Sequence, residues 1–146
     1  MKQGSQALRK GRFSSTGNIY HIRFSTEHRT PLIDFNRGSK IAKKLYTNIA
    51  QADHELLCWV LMPDHVHLLI RLGDSDSLKN FVRQLKSSTS RLFPNITPFW
   101  QSGYFDRAIR REEDVVSVAR YIVANPVRAG LVDRVGKYSL WNAIWF

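Results

Sequence analysis

Leu56-Leu57-Cys58-Trp59-Val60-Leu61-Met62-Pro63-Asp64-His65-Val66-His67-Leu68-Leu69-Ile70-Arg71-Leu72 is the stretch that decides the fold. The apolar run from Leu56 to Met62 has the length of a buried strand and is far too short to span a bilayer. Pro63-Asp64 breaks it, and a second strand is expected from His65 to Leu72. A break that short between two strands implies an antiparallel hairpin. Alternate residues of a strand share a face. Val66, Leu68, Ile70 and Leu72 therefore point to the core, and His65 and His67 project together from the opposite side.

Upstream, Asn18 to Ser25 alternates, with Tyr20, Ile22 and Phe24 on one face and Ile19, His21 and Arg23 on the other. That pattern predicts a half-buried strand. Pro31 and Gly38 bracket a loop, after which Ser39 to Ala52 reads as a helix with the stripe Ile41, Ala42, Leu45, Ile49 and Ala52. Downstream, Ser77 can cap a helix running to about Phe93, before Pro94. Leu78, Phe81, Val82 and Leu85 lie on its buried side. Phe99 to Arg110 is expected as two short extended segments turning at Ser102-Gly103. A last helix starts near Glu112 and must stop near Asn125, because Pro126 follows. Strand, helix, strand, strand, helix, extended segment and helix, in that order, predict an α+β domain in which helices pack on an antiparallel sheet.

The length of 146 residues suits one domain over 1–146, with a basic arm at 1–17 (Arg9, Lys10 and Arg12, then Ser14 to Gly17) and a C-terminal tail at 133–146. Lys and Arg number 22 against 12 Asp and Glu, a net charge of +10. An excess of that size repels itself, so it points to a polyanionic partner, nucleic acid ahead of a membrane surface. A single cysteine, Cys58, excludes an internal disulfide framework and a multi-cysteine zinc site, and fits a reducing compartment. Met1 to Arg12 is polar and basic without the apolar core of a signal peptide. The expectation is a cytoplasmic protein with no membrane partner.

Two imidazoles on one face of a strand can grip one cation, although a His-x-His pair beside a polar turn can equally be plain surface. If the strand begins at Asp64, that carboxylate alternates to the wrong face, and a third ligand must come from elsewhere. The second pointed feature is Tyr121-Ile122-Val123-Ala124-Asn125-Pro126-Val127-Arg128-Ala129-Gly130-Leu131-Val132. Val115, Val116, Ala119, Ile122 and Val123 form its apolar stripe, while Tyr121 and Asn125, four apart, stack on a face off that stripe. A tyrosine there either packs by its ring with a wet hydroxyl or uses its phenol in chemistry.

Four stretches in the same order carry a family resemblance. They are Gly11-Arg12-Phe13 leading to Tyr20-His21-Ile22; Met62 to Leu69; Trp100-Gln101-Ser102-Gly103-Tyr104-Phe105-Asp106 with Ile109-Arg110; and Tyr121-Ile122 with Asn125 to Val132. Together they resemble the IS200-like, single-tyrosine HUH transposases, and within them the REP-associated tyrosine transposases. The resemblance implies a ferredoxin-like sandwich with the histidines on a central strand. It implies Tyr121 as nucleophile, His65 and His67 as metal ligands, and Asn125 as the third. Two imidazoles and an amide oxygen leave positions open, which suits Mg²⁺ or Mn²⁺.

The reaction so implied is transesterification on single-stranded DNA beside a hairpin, a REP-like palindrome, through a 5′-phosphotyrosine. Phosphate contacts would come from Arg9, Lys10, Arg12, Arg83, Lys86, Arg107, Arg110 and Arg111. Trp100 and Tyr104 would stack on unpaired bases. Relatives include monomers and homodimers, so either state is expected. Two other readings stand beside this one. A non-catalytic DNA- or RNA-hairpin-binding module would share the charge, although no stretch matches the aromatic strand signature of RNA-recognition domains. A small metal hydrolase would keep the histidines and leave Tyr121 idle.

Overall fold

The hairpin forms where the sequence places it, and the sheet assembles around it, in a computed structural model that describes residues 17–146. The basic arm with Arg9, Lys10 and Arg12 lies outside the described residues. Strand β1 (Ile19–Ser25) is followed by helix α1 (Phe35–Gln51), the hairpin strands β2 (Glu55–Leu61) and β3 (His65–Arg71), helix α2 (Leu78–Ser90) and strand β4 (Phe105–Ile109). Helix α3 (Glu112–Val123), the single turn α4 (Asn125–Arg128) and strand β5 (Trp141–Ala143) complete the order. The sheet runs β4-β1-β3-β2-β5 and each described pairing is antiparallel. The first six elements make the ferredoxin-like βαββαβ sandwich, with β3 at its centre.

Both sheet faces are covered. Tyr20, Ile22, Phe24, Trp59, Leu61, Val66, Leu68 and Ile70 pack under α1 and α2 through Ile41, Leu45, Phe81 and Leu85. On the other face Ile19, Leu57, Cys58, Val60 and Leu69 meet Val115, Ala119, Ile122 and Val123 of α3. A register shift between Leu56 and Cys58 turns Leu57 and Cys58 to the same side. Burial on that side pushes the Cys58 thiol up to about 12, which makes it inert. This second layer corrects the reading of β1 as half-buried. β1 is an interior strand with α3 across its far face, so Ile19 and His21 are buried along with Tyr20 and Ile22.

Local chemistry moves several boundaries. Helix α1 starts at Phe35 and not at Ser39, because the Asp34 carboxylate accepts the Arg37 N–H at 2.8 Å and caps it there. Gly38, expected in a loop, is inside the helix, where a Cβ would lie 2.6 Å from Leu140 Cδ1. Ser77 caps α2 as expected, its hydroxyl accepting from Asn80 N at 3.1 Å. The helix ends at Ser90, short of Phe93, in tightened turns that donate Leu92 N to Thr89 O and Phe93 N to Ser90 O. Of the two extended segments expected in 99–110, only Phe105–Ile109 is a strand, and Trp100 makes a single bridge to Thr26. The expected tail contributes β5, which pairs Trp141 with Val60, and Ala143 of the strand and Leu140 just before it are buried. Among the described residues no helix is long and apolar enough to cross a membrane.

The exit from β3 is tightly built. Gly73 N donates to His54 Nδ1 at 2.9 Å, while the Asp53 carboxylate accepts from Asp74 N and Ser75 N, each at 2.9 Å. A Cβ on Gly73 would collide with the Asp53 carbonyl and carboxylate. Gly73→Ala is therefore expected to cost about 1–3 kcal/mol. In urea unfolding that loss appears as a lower midpoint with an unchanged slope.

Candidate active site

The sheet register builds the site. β1 and β3 pair Arg23 with His67 and Ser25 with His65, and β1 and β4 pair His21 with Arg107 and Arg23 with Phe105. The period of two then sets Phe105, Arg107, His21, Arg23, His65 and His67 side by side on the α3 face of three adjacent strands. The packed part of α3 covers one end of that face. At the other end a cleft of about 620 Å³ is lined by these six residues with Ser117, Val118, Tyr121 and Asn125. Tyr121, Asn125, His65 and His67, which the sequence singled out, thus border one cavity.

The end of α3 aims its two polar residues. Pro126 has no N–H to give to Ile122 O, and Asn125 Nδ2 donates to that carbonyl at 3.0 Å. The Asn125 amide oxygen is left as the acceptor facing other groups. Arg128 Nη2 donates to Tyr121 O at 2.8 Å, and the guanidinium carbon lies 3.8 Å from the centroid of the Tyr121 ring. Tyr121 itself is 55% exposed.

The imidazoles are held through their Nδ1 atoms. His65 Nδ1 donates to Asp64 Oδ1 at 2.7 Å, and Arg29 Nε donates to Asp64 Oδ2 at 3.2 Å. Burial works to raise the Asp64 carboxyl, but His65 and Arg29 outweigh it and hold it low. Asp64 therefore serves His65, contrary to the expectation from alternation, because it sits in the turn ahead of the strand. His67 Nδ1 bonds His21 Nε2 at 2.8 Å, and the two rings stack with centroids 5.1 Å apart. Both histidines are buried at 5% and 8% exposure. Burial lowers His67 to about 2, with the charges of His21, His65, Arg23 and Arg128 adding to it. Burial, then Arg107 and Arg23, lower His21 to about 4.

These bonds leave His65 Nε2 open. They leave His67 Nε2 open when the shared proton is on His67 Nδ1 and is donated to His21. With the Asn125 oxygen, the donor set fits a hard or borderline divalent ion. Among the described residues no three His, Cys, Asp or Glu side chains form a group that could hold a metal ion. Sequence reasoning missed His21, Arg23, Phe105 and Arg128. The alternation of β1 already put His21 and Arg23 off the core face, but only pairing with β3 brings them to the histidines.

The other DNA-contact candidates fall elsewhere. Arg83, Lys86, Trp100 and Tyr104 line a separate groove of about 840 Å³ between α2 and residues 94–104. Trp100 is a correction: it is 7% exposed, and its indole N–H donates to Thr89 Oγ1 at 2.8 Å, so it packs in the core. Lys86 holds the turn, with Nζ donating to Gln101 O at 2.8 Å and Gly103 O at 2.7 Å. Arg107 is in the cleft, while Arg110 and Arg111 lie beyond it where β4 meets α3.

A family model of IS200-like transposases matches residues 14–125. The chain belongs to the IS200-like transposase family. This transposase is 27% identical over 135 residues to a Haemophilus influenzae protein assigned to the REP-associated tyrosine transposases, covering 82% of this chain and 76% of that one. It is 30% identical over 86 residues to the Escherichia coli REP-associated tyrosine transposase, covering 58% of this chain and 51% of the relative. Its fold superposes with a TM-score of 0.81, at 21% identity, on a REP-associated tyrosine transposase solved with a REP hairpin, over 97% of this chain and 82% of that one. A Deinococcus radiodurans protein assigned as a transposase gives a TM-score of 0.58 at 23% identity, over 84% and 95% of the two chains.

Burial of neutral imidazoles links stability to pH. His21 and His67 sit below the ordinary value of 6.5, so their contribution is full above 6.5 and is lost as pH falls toward their folded values. The urea midpoint should fall between about pH 6.5 and pH 4. In His21→Gln that fall should be shallower; an equal slope would place the titrating groups elsewhere.

Proposed function

We propose that this transposase is a divalent-metal-dependent endonuclease and strand transferase of single-stranded DNA, acting beside a hairpin such as a REP-like palindrome, with Tyr121 as nucleophile. The observation that carries this reading is the meeting of Tyr121 and Asn125 with His65 and His67 on one cleft that also holds Arg23 and Arg107. In a non-catalytic hairpin-binding module nothing would require a phenol beside two oriented imidazoles. The whole chain is taken to work as one nuclease domain, as a monomer or a homodimer.

Tyr121 Oη attacks the scissile phosphorus and the bond to the 3′ oxygen breaks. The phenolic proton passes to solvent, the departing 3′ oxygen takes up a proton from solvent and leaves as a hydroxyl, and the 5′ side of the break stays joined to Tyr121 as a phosphotyrosine. Attack by a DNA 3′-hydroxyl reverses the step and joins strands without ATP, because the ester keeps the bond energy. His65 and His67 through Nε2, and Asn125 through its amide oxygen, would hold Mg²⁺ or Mn²⁺. When bound, such an ion supplies Lewis acidity toward a phosphate oxygen. Asp64 and His21 keep the two imidazoles turned with Nε2 outward. Arg23 and Arg107 line the same cleft and would offer cations to the phosphate.

Flanking DNA is proposed to cross the edge strand β4. Ser102 to Tyr104 line the α2 groove, and Phe105 and Arg107, next in the chain, line the cleft. The groove bears Lys79, Arg83 and Arg91 and no carboxylate. Arg83 and Tyr104 stay in the proposal as phosphate and base contacts, with Arg110, Arg111 and the basic arm as further cations.

The test is a labelled hairpin oligonucleotide with a single-stranded foot, incubated with Mn²⁺ or Mg²⁺ and resolved on a denaturing gel. The expected product is a covalent DNA–protein adduct, abolished by a chelator and by Tyr121→Phe while DNA binding persists. His65→Ala should lose the adduct with an unchanged melting curve; loss of folding would make that histidine structural. Tight hairpin binding by the unaltered protein with no adduct would defeat the nuclease reading and favour the binding module.

A further inference from the structure

We infer that Arg128 is a positioning residue for Tyr121, its guanidinium clamping the ring and the main chain of that residue together so that the phenol meets the cleft in one orientation. This rests on the reading of Tyr121 as nucleophile. Tyr121 is more than half exposed near the last turn of α3, where a side chain is free to sample rotamers. Among the described residues its side chain has no hydrogen bond or ring contact other than the stack with Arg128. That stack places the guanidinium carbon 3.8 Å from the ring centroid, and Nη2 is anchored at 2.8 Å on the carbonyl of the same tyrosine.

Ring and backbone are thus held by one rigid planar group. Two features of the chain bring it there. Pro126 in the first turn of α4 starts a new turn after α3 ends, and Arg128, at the end of α4, returns over the terminal carbonyls. Those carbonyls form the negative end of the α3 dipole and favour a cation. The clamp covers one face of the ring, which leaves the phenol edge and the other face to the cleft. A lysine could place its charge over the ring, but it lacks the planar fork that covers the ring and donates sideways to a carbonyl. The Arg128 charge is also among those that lower His67.

Two measurements test the clamp. The first is single-turnover adduct formation at saturating hairpin DNA. Arg128→Ala should slow it by roughly ten- to a hundredfold while the Kd for DNA stays within about twofold, since misplacing a nucleophile costs rate and not affinity. Arg128→Lys should recover part of the rate, and free guanidinium ion should partly rescue Arg128→Ala. The second needs no activity: with fluorotyrosine at position 121, fluorine NMR should give one resonance displaced from the averaged position seen in Arg128→Ala. An unaltered rate, a loss confined to Kd, a matching fall in melting temperature, or identical fluorine spectra would each overturn the proposal. If the unaltered protein gives no adduct yet shows the displaced resonance, the nucleophile reading fails and the clamp stands.

Discussion

Strand β3 has to satisfy two different faces at once, and the site depends on that constraint. Val66, Leu68 and Ile70 are completely or almost completely buried under α1 and α2, while His65 and His67 leave the sheet on the side that α3 covers only in part. A slip of one residue would drive two imidazoles into an apolar layer and turn Val66 and Leu68 toward the polar cleft. The cost of that exchange locks the register. Once β3 is locked, its antiparallel pairing with β1 delivers His21 and Arg23 to the histidines, and β4 brings Phe105 and Arg107.

Electrostatics follow from this packing. Burial keeps His21 and His67 uncharged and therefore able to act as donor and acceptor, or as ligands. Each of the two motif histidines has one nitrogen engaged inside the protein, on Asp64 or on His21, which turns the other outward. Arg23 and Arg107 supply the positive charge of the cleft. The net charge of +10 acts over longer range, by drawing a polyanion toward the cleft and the α2 groove.

Much of the fold was legible because the signals were local. The hairpin at Pro63-Asp64, the Ser77 cap and the stop of α3 before Pro126 rest on residue chemistry that acts over a few positions. Gly38 misled because glycine ordinarily ends a helix; here it stays inside α1 because Leu140, a hundred residues on, occupies the space of a side chain. Trp100 looked like a stacking platform, yet Thr89 on α2 takes its N–H and the ring joins the core. Asp64 looked misdirected only while it was assigned to the strand. The last residues read as a tail because three residues are too few to show a strand period, and β5 exists only by pairing with β2.

Local patterns in the chain set the α+β order, the face that carries His65 and His67, and the spacing that puts Asn125 one turn from Tyr121. These are periodicities and stop signals written over at most a dozen residues. Tertiary structure alone decided that the Tyr121 turn and the histidine strand border the same cleft, that His21 and Asp64 hold the imidazoles, and that Arg128 lies on the tyrosine ring. The physical reason is that each of these needs two segments brought together by burial of α3 on the sheet or by the turn at Pro126. No local pattern encodes the distance between segments that only a shared core makes neighbours.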